Sequence, residues 1–184
     1  MASRLKPHPN QLKQPKQIQY FFLEEHMSTN DVEKVVKIIE DIKVGMLTTR
    51  SGENLLSRPL TAVQVTDDGD LWFFIATESE IAQEVAKDRN INISFSDKTS
   101  WVSVRGIAEI VRDVGKKEEL WNPAVEAFAR GGAKSPNVAL LHVSSESAEY
   151  WENPGGPVSL AASWVKHKLT GEQAHPGDSG VVDL

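Results

Sequence analysis

Val44-Gly45-Met46-Leu47-Thr48-Thr49, then Leu55 to Thr66, then Leu71-Trp72-Phe73-Phe74-Ile75 are three largely apolar runs, separated by Ser51-Gly52 and Asp67-Asp68-Gly69. Runs of this length bounded by glycine turns read as strands, and Asp-Gly between two of them signals a hairpin. Three strands in a row joined by tight turns make an antiparallel sheet from the outset. Pro59 falls inside the second run. A proline donates nothing to a ladder, so this position is expected at an edge, a bulge or a ligand site.

On the N-terminal side, Val32, Val35, Val36, Ile39 and Ile42 recur at helical spacing with charges between them, which predicts an amphipathic helix of about four turns. Ser28 followed by Asp31 resembles a capping box at its start. On the C-terminal side the reading predicts a short helix from Ser79 to Asp88, with Ile81, Ala82, Val85 and Ala86 on one face. A strand over Asn92 to Ser96, a turn at Asp97-Lys98 and a long strand over Trp101 to Val111 come next, with Val102, Val104, Gly106 and Ala108 on one face by period 2. Lys116 to Arg130 reads as a helix interrupted near Pro123. Val138 to Val143 and Ala148 to Trp151 read as two strands, Ala161 to Leu169 as a helix, and Val181-Val182 as a last strand. Six or seven strands joined mainly by hairpins predict a mainly β protein, a β-barrel with flanking helices, since closure stabilises that many strands.

The bulk numbers fit this picture. A chain of 184 residues with 40% hydrophobic and 25% charged content is suited to one globular domain. Two segments are expected: a flexible arm over residues 1–26, with three prolines and no apolar periodicity, and one domain over 27–184. Within the arm only Tyr20 to Leu23 is apolar, too short for a secretory signal. A net charge of −6 argues against nucleic acid, and no apolar run reaches the 18 residues or so that a membrane helix needs. The absence of cysteine excludes disulfides, thiolate chemistry and cysteine-ligated metals, and fits a cytoplasmic protein.

Chemistry-bearing motifs are sparse. None of His8, His26, His142, His167 and His175 forms a metal pair on one helix face, so no metal site is expected, and His142 reads as structural or solvent-facing. There is no Gly-x-Ser-x-Gly elbow and no Gly-x-Gly-x-x-Gly after a strand, so no catalytic residue is assigned. Lys116-Lys117-Glu118-Glu119 reads as a solvated helix face. Trp101, Trp121 and Trp151 read either as core or as walls for a flat aromatic ligand. The sharpest local feature is Ser57-Arg58-Pro59-Leu60, a permanent cation in mid-strand beside a ladder-breaking residue. Arginine is suited to bidentate recognition of phosphate.

Taken in order, Gly45-Met46-Leu47-Thr48-Thr49, Ser57-Arg58-Pro59-Leu60, Leu71-Trp72-Phe73-Phe74, Val102-Ser103-Val104-Arg105-Gly106, Glu119-Leu120-Trp121 and Ala148-Glu149-Tyr150-Trp151 resemble the pyridoxamine 5′-phosphate oxidase-like FMN-binding split barrels, especially their bacterial general stress protein branch. The resemblance implies a six-stranded antiparallel split barrel and a homodimer with two FMN sites at the subunit interface. It implies that Arg58, Pro59, Leu60 and Thr61 follow the isoalloxazine edge and reach toward the phosphate, and that Phe74 and Ile75 offer backbone contacts. Ser79 would approach the phosphate at a helix start, where free N–H groups favour an anion, and Trp121 of the partner subunit would cover the flavin. A weak FMN-dependent oxidoreductase or a flavin carrier is the implied activity. Vitamin B6 synthesis is not expected, because the substrate residues of the true oxidases are not recognisable near the C-terminus.

The chain departs from the family pattern at three positions. Ile81 stands where a basic residue, usually lysine, is common; Glu80 where relatives can carry arginine; and Trp101 where the oxidases proper have a flavin-facing glutamine. A missing cation and an added carboxylate both weaken a hold on phosphate. Two other readings therefore stand beside FMN: a split barrel for another cofactor such as deazaflavin or haem, or a non-catalytic, flavin-free dimeric module.

Overall fold

Helix α1 (Thr29–Ile42) opens the computed structural model, which describes residues 29–129, 131–153 and 178–184. It buries Val35 and Ile39 against the sheet, with Val32 and Ile42 packed beside them, as the spacing predicted; Ile38, not on the expected face, is buried too, and Val36 is left out of the core. Lys43, at φ 63°, then takes the left-handed conformation that ends helices, and its N–H bonds the Ile39 carbonyl at 2.8 Å. The chain passes straight into β1 (Val44–Ser51), turns at Gly52 with φ 62°, and returns as β2 (Asn54–Val65). There follow β3 (Leu71–Ala76), α2 (Glu80–Val85), β4 (Asn90–Ser96), β5 (Ser100–Val111), α3 (Val114–Leu120), α4 (Pro123–Phe128), β6 (Val138–Glu152) and β7 (Asp178–Asp183).

All strand pairs are antiparallel, in the order β3-β2-β1-β4-β5-β6, and a β3–β6 pairing closes six of them into a barrel. Alternation along each strand sends Leu47, Phe73, Ile93, Phe95, Val102, Val104, Leu141 and Val143 inward, where each is at most 1% exposed. α1 and α2 contribute Ile39, Ile81 and Val85 to the same cluster. At about 25 cal/mol per Å² of apolar area, this barrel interior is the main source of stability. The β-barrel with flanking helices, a split barrel of six antiparallel strands, is the observed fold, with β7 added outside it on β6.

Three readings of the sequence are corrected. The expected strands over 138–143 and 148–151 are one 15-residue strand. Ser144-Ser145-Glu146-Ser147 has weak strand propensity, but tertiary contacts carry the ladder through it. Asp70 Oδ1 accepts the Ser145 N–H at 3.0 Å, and the Ser145 hydroxyl donates to the Gly69 carbonyl at 2.7 Å. Opposite, the register slips between Arg105 and Gly106, leaving Glu146 as an extra residue of a bulge. A Cβ on Gly106 would collide with the Ser144 carbonyl oxygen, so only glycine allows this approach. β6 thus pairs with β3 along its first half and with β7 along its second.

α2 is shorter than expected, and Ala86 faces solvent while Ile81, Ala82 and Val85 are buried. The interruption expected near Pro123 is observed: α3 and α4 part at Trp121-Asn122, and the Asn122 side chain caps α4 through the Ala124 and Val125 N–H groups. Lys117 is not on a solvated face. It is 2% exposed, and its ammonium donates to the carbonyls of Ser135 and Val138, both at 3.0 Å. The expected arm over residues 1–26, the Ser28 cap and the helix from Ala161 to Leu169 lie outside the described residues.

Candidate cofactor site at the barrel split

The barrel closes unevenly between β2 and β3. These strands pair only at Ala62–Phe73, Gln64–Trp72 and Val65–Leu71, with an irregularity between Ala62 and Gln64. Beyond it, residues Asn54 to Thr61 of β2 keep β1 alone as partner, and Phe74, Ile75 and Ala76 of β3 keep β6 alone. Among the described residues no strand pairs with the second edge of either segment. Backbone donors and acceptors of two edges therefore line one opening, an arrangement suited to a flat ligand rich in polar edge atoms. Pro59 sits on this single-partner segment, as its missing N–H requires. Pro59 and Thr61 are exposed, while Leu60 packs against the core.

Arg58 lies opposite Leu47 in the ladder and so points inward with it. An inward guanidinium at the end of a barrel needs partners, and α2 supplies them. Nη1 donates to Glu84 Oε2 at 2.8 Å and to the Thr49 hydroxyl at 3.2 Å; Nη2 donates to Glu84 Oε1 at 3.1 Å and to Glu80 Oε2 at 2.9 Å. Glu84 also accepts the Thr49 hydroxyl at 2.6 Å. The Arg58 hydrogen bonds, with smaller help from Thr49 and Ser51, hold the Glu84 carboxyl below the ordinary glutamate range. Glu84, first of all, raises the Arg58 pKa further. Arg58 thus ties β2 to α2.

The other candidates divide. Ser79 caps α2, its hydroxyl accepting the Ala82 N–H at 3.2 Å. Ile81 is 7% exposed and packs in the core. Trp121 stands edge-on to Phe74 of its own chain, with ring centroids 5.3 Å apart and planes at 84°; the pair borders the β3 side of the split. Trp101 and Trp151 are cross-strand partners on β5 and β6, a different wall. His142 is structural: it stacks on Trp72 at 4.1 Å, and its ring nitrogens meet Asp70 at 2.9 Å and Glu109 at 3.4 Å. No group of three or more metal-ligating side chains occurs among the described residues.

Glu84 and Thr49 escaped the sequence reading. The one signal available was a carboxylate pair four residues apart on a short helix, facing a lone mid-strand arginine. A second surface also emerges only in three dimensions. Val44, Met46, Trp101, Trp151 and Val181 are 43–73% exposed on the outer face of β1, β5, β6 and β7. Next to them lies an open concavity of about 420 Å³, lined by Thr48, Arg50, Asn92, Ser103, Arg105 and Glu149 among others. It adjoins the single-partner segment of β2 through Leu55 and the Arg58–Glu84 cluster through Thr49.

A closed six-stranded antiparallel barrel that parts along one strand pair defines a split-barrel protein. The family model for pyridoxamine 5′-phosphate oxidase-like proteins matches residues 30–175, and the chain belongs to that family. It is 33% identical over 146 residues to protein bli-3 of Neurospora crassa, covering 72% of this chain and 69% of that one. A protein of Jannaschia sp. CCS1, provisionally described as general stress protein 26, superposes with a TM-score of 0.68 at 26% identity, over 84% of this chain and 99% of its own. A general stress FMN/FAD binding protein from Xanthomonas citri superposes with a TM-score of 0.63 at 29% identity, over 70% and 93%.

Proposed function

We propose that this chain is an FMN-binding general stress-type protein whose flavin lies along the split between β2 and β3. The observation that carries the reading is the pair of strand edges there that no described strand partners. The isoalloxazine edge offers alternating donors and acceptors, which the backbone of Arg58, Pro59, Leu60 and Thr61 on one side and of Phe74 and Ile75 on the other can match. Trp121 stands beside Phe74 to limit access to the ring. The phosphate end falls toward Ser79 and the outer edge of Arg58. A bound flavin supplies hydride and single-electron transfer, which makes a flavin-dependent oxidoreductase the activity to assay. What this chain's own residues do is bind the ring, orient it against two strand edges and shield one border with indole.

A homodimer is part of the proposal, as the family resemblance implies. The exposed Val44, Met46, Trp101, Trp151 and Val181 form the apolar surface that a second copy would cover. No described helix is long and apolar enough to cross a membrane. The test is a titration of the full chain with FMN and riboflavin, followed by flavin fluorescence, with sedimentation in parallel. Quenched fluorescence with micromolar or tighter binding and a dimer are expected. A folded monomer that binds neither flavin would overturn the reading.

A further inference from the structure

Glu80 and Glu84 lie one helical turn apart and both reach Arg58, but their surroundings differ. The Glu84 side chain is 8% exposed, engages Nη1 and Nη2 of Arg58 and takes the Thr49 hydroxyl as well. The Glu80 side chain is 77% exposed and offers one oxygen to Nη2. The first pair is built into the barrel; the second is a solvent-exposed contact of the kind that contributes little to stability. Arg58 is therefore neutralised from inside by Glu84, while its outer N–H is covered by a carboxylate that is free to leave.

We propose that Glu80 is an intramolecular occupant of the outer anion position on Arg58, and that it biases the split against phosphorylated ligands. The inference rests on the flavin reading above and adds what regulates its phosphate end. With Glu80 in place the three groups sum to one negative charge, so an arriving phosphate meets repulsion and an occupied donor. Once Glu80 turns to solvent, the Arg58–Glu84 pair is neutral and presents one free charge-assisted donor. Ile81, the neighbouring position, is buried and offers no compensating cation. The ring part of a ligand does not reach this exchange, so the neutral flavin binds independently of it. Phosphate recognition is set by Glu80.

The experiment compares the full-length protein with Glu80→Gln and Glu80→Ala, and with Glu78→Gln as a control that removes another exposed carboxylate two residues earlier. FMN and riboflavin are titrated by fluorescence. Inorganic phosphate is titrated separately and followed through the Arg58 side-chain resonances by NMR. Both Glu80 variants should bind FMN about tenfold more tightly, as for one gained charged contact. Riboflavin should be unchanged, and phosphate should move the Arg58 signals at about tenfold lower concentration. Glu78→Gln should do none of this. If flavins bind but the FMN-to-riboflavin ratio is the same in all four proteins, the Glu80 proposal is wrong and the flavin reading stands. If no protein binds either flavin yet phosphate still reaches Arg58 more readily in the Glu80 variants, the flavin reading fails and the role of Glu80 stands.

Discussion

β5 and β6 pair at twelve consecutive positions of β5, from Ser100 to Val111, whereas β2 and β3 pair at three and then part. Both pairs belong to one barrel, and both contain an irregularity. On β5–β6 the extra residue, Glu146, is absorbed by a glycine opposite and by the Asp70–Ser145 contacts, so the ladder continues to Glu152. On β2–β3 nothing re-joins the strands after Ala62, because the next inward residues include Arg58, a charge that an interior cannot bury alone. That charge is instead met from α2, through Glu80 and Glu84. An irregularity in a ladder is thus carried through where backbone and side-chain contacts absorb it, whereas beside an inward charge partnered by a helix the strands stay apart.

The sharpest way to break the closed side is Gly106→Ala. Its Cβ collides with backbone, which cannot yield like a flexible side chain, so a loss of about 3 kcal/mol is expected in urea unfolding. A loss under about 1 kcal/mol would mean that the bulge is not tightly held. On the open side, Ile81→Lys puts an ammonium at a position that is 7% exposed, and a cost of about 2–3 kcal/mol is expected for burying or extruding it. FMN affinity should not rise, since the side chain faces the core; a tightened FMN complex without destabilisation would refute this placement of Ile81.

Glu84→Gln tests the ion pair itself. A fully enclosed pair broken on one side costs about 3–5 kcal/mol; here about 2 kcal/mol is expected, because Arg58 keeps Glu80 and reaches water. The pH dependence carries a sign. Glu84 titrates lower folded than unfolded, so its stabilisation is complete above the unfolded pKa, about 4.3, and is lost as pH falls through the lowered folded value. Melting temperature between about pH 5 and pH 2 should therefore fall less steeply in the variant than in the parent. Identical acid limbs would show that Glu84 is not the linked group. The smallest effect is expected from Trp121→Ala. The edge-on pair with Phe74 contributes about 0.5–1.5 kcal/mol, so stability should drop by about 1 kcal/mol. Flavin should weaken several-fold, with FMN and riboflavin affected equally, as measured by fluorescence titration.

The sequence by itself determined the class of fold. The apolar run Leu71–Ile75, period-2 alternation in Trp101–Val111, the glycine turns at Gly52 and Gly69, and the 3.6-residue period of α1 are local signals, and local propensity agrees with them. It also flagged Arg58 and Pro59, because a charge and a proline inside an apolar strand violate a local rule. What tertiary structure alone decided was how those violations are resolved. Whether Arg58 faces a ligand or a carboxylate depends on where α2 lies across the barrel end, and no spacing along the chain encodes that. The continuity of β6 through Ser144–Ser147 likewise depends on Asp70, some 75 residues away in sequence. Lys117 leaves the solvent only because the carbonyls of Ser135 and Val138 converge on it. Periodicity reports which face a residue takes; partners for buried polar groups come from distant segments, so only the folded chain reveals them.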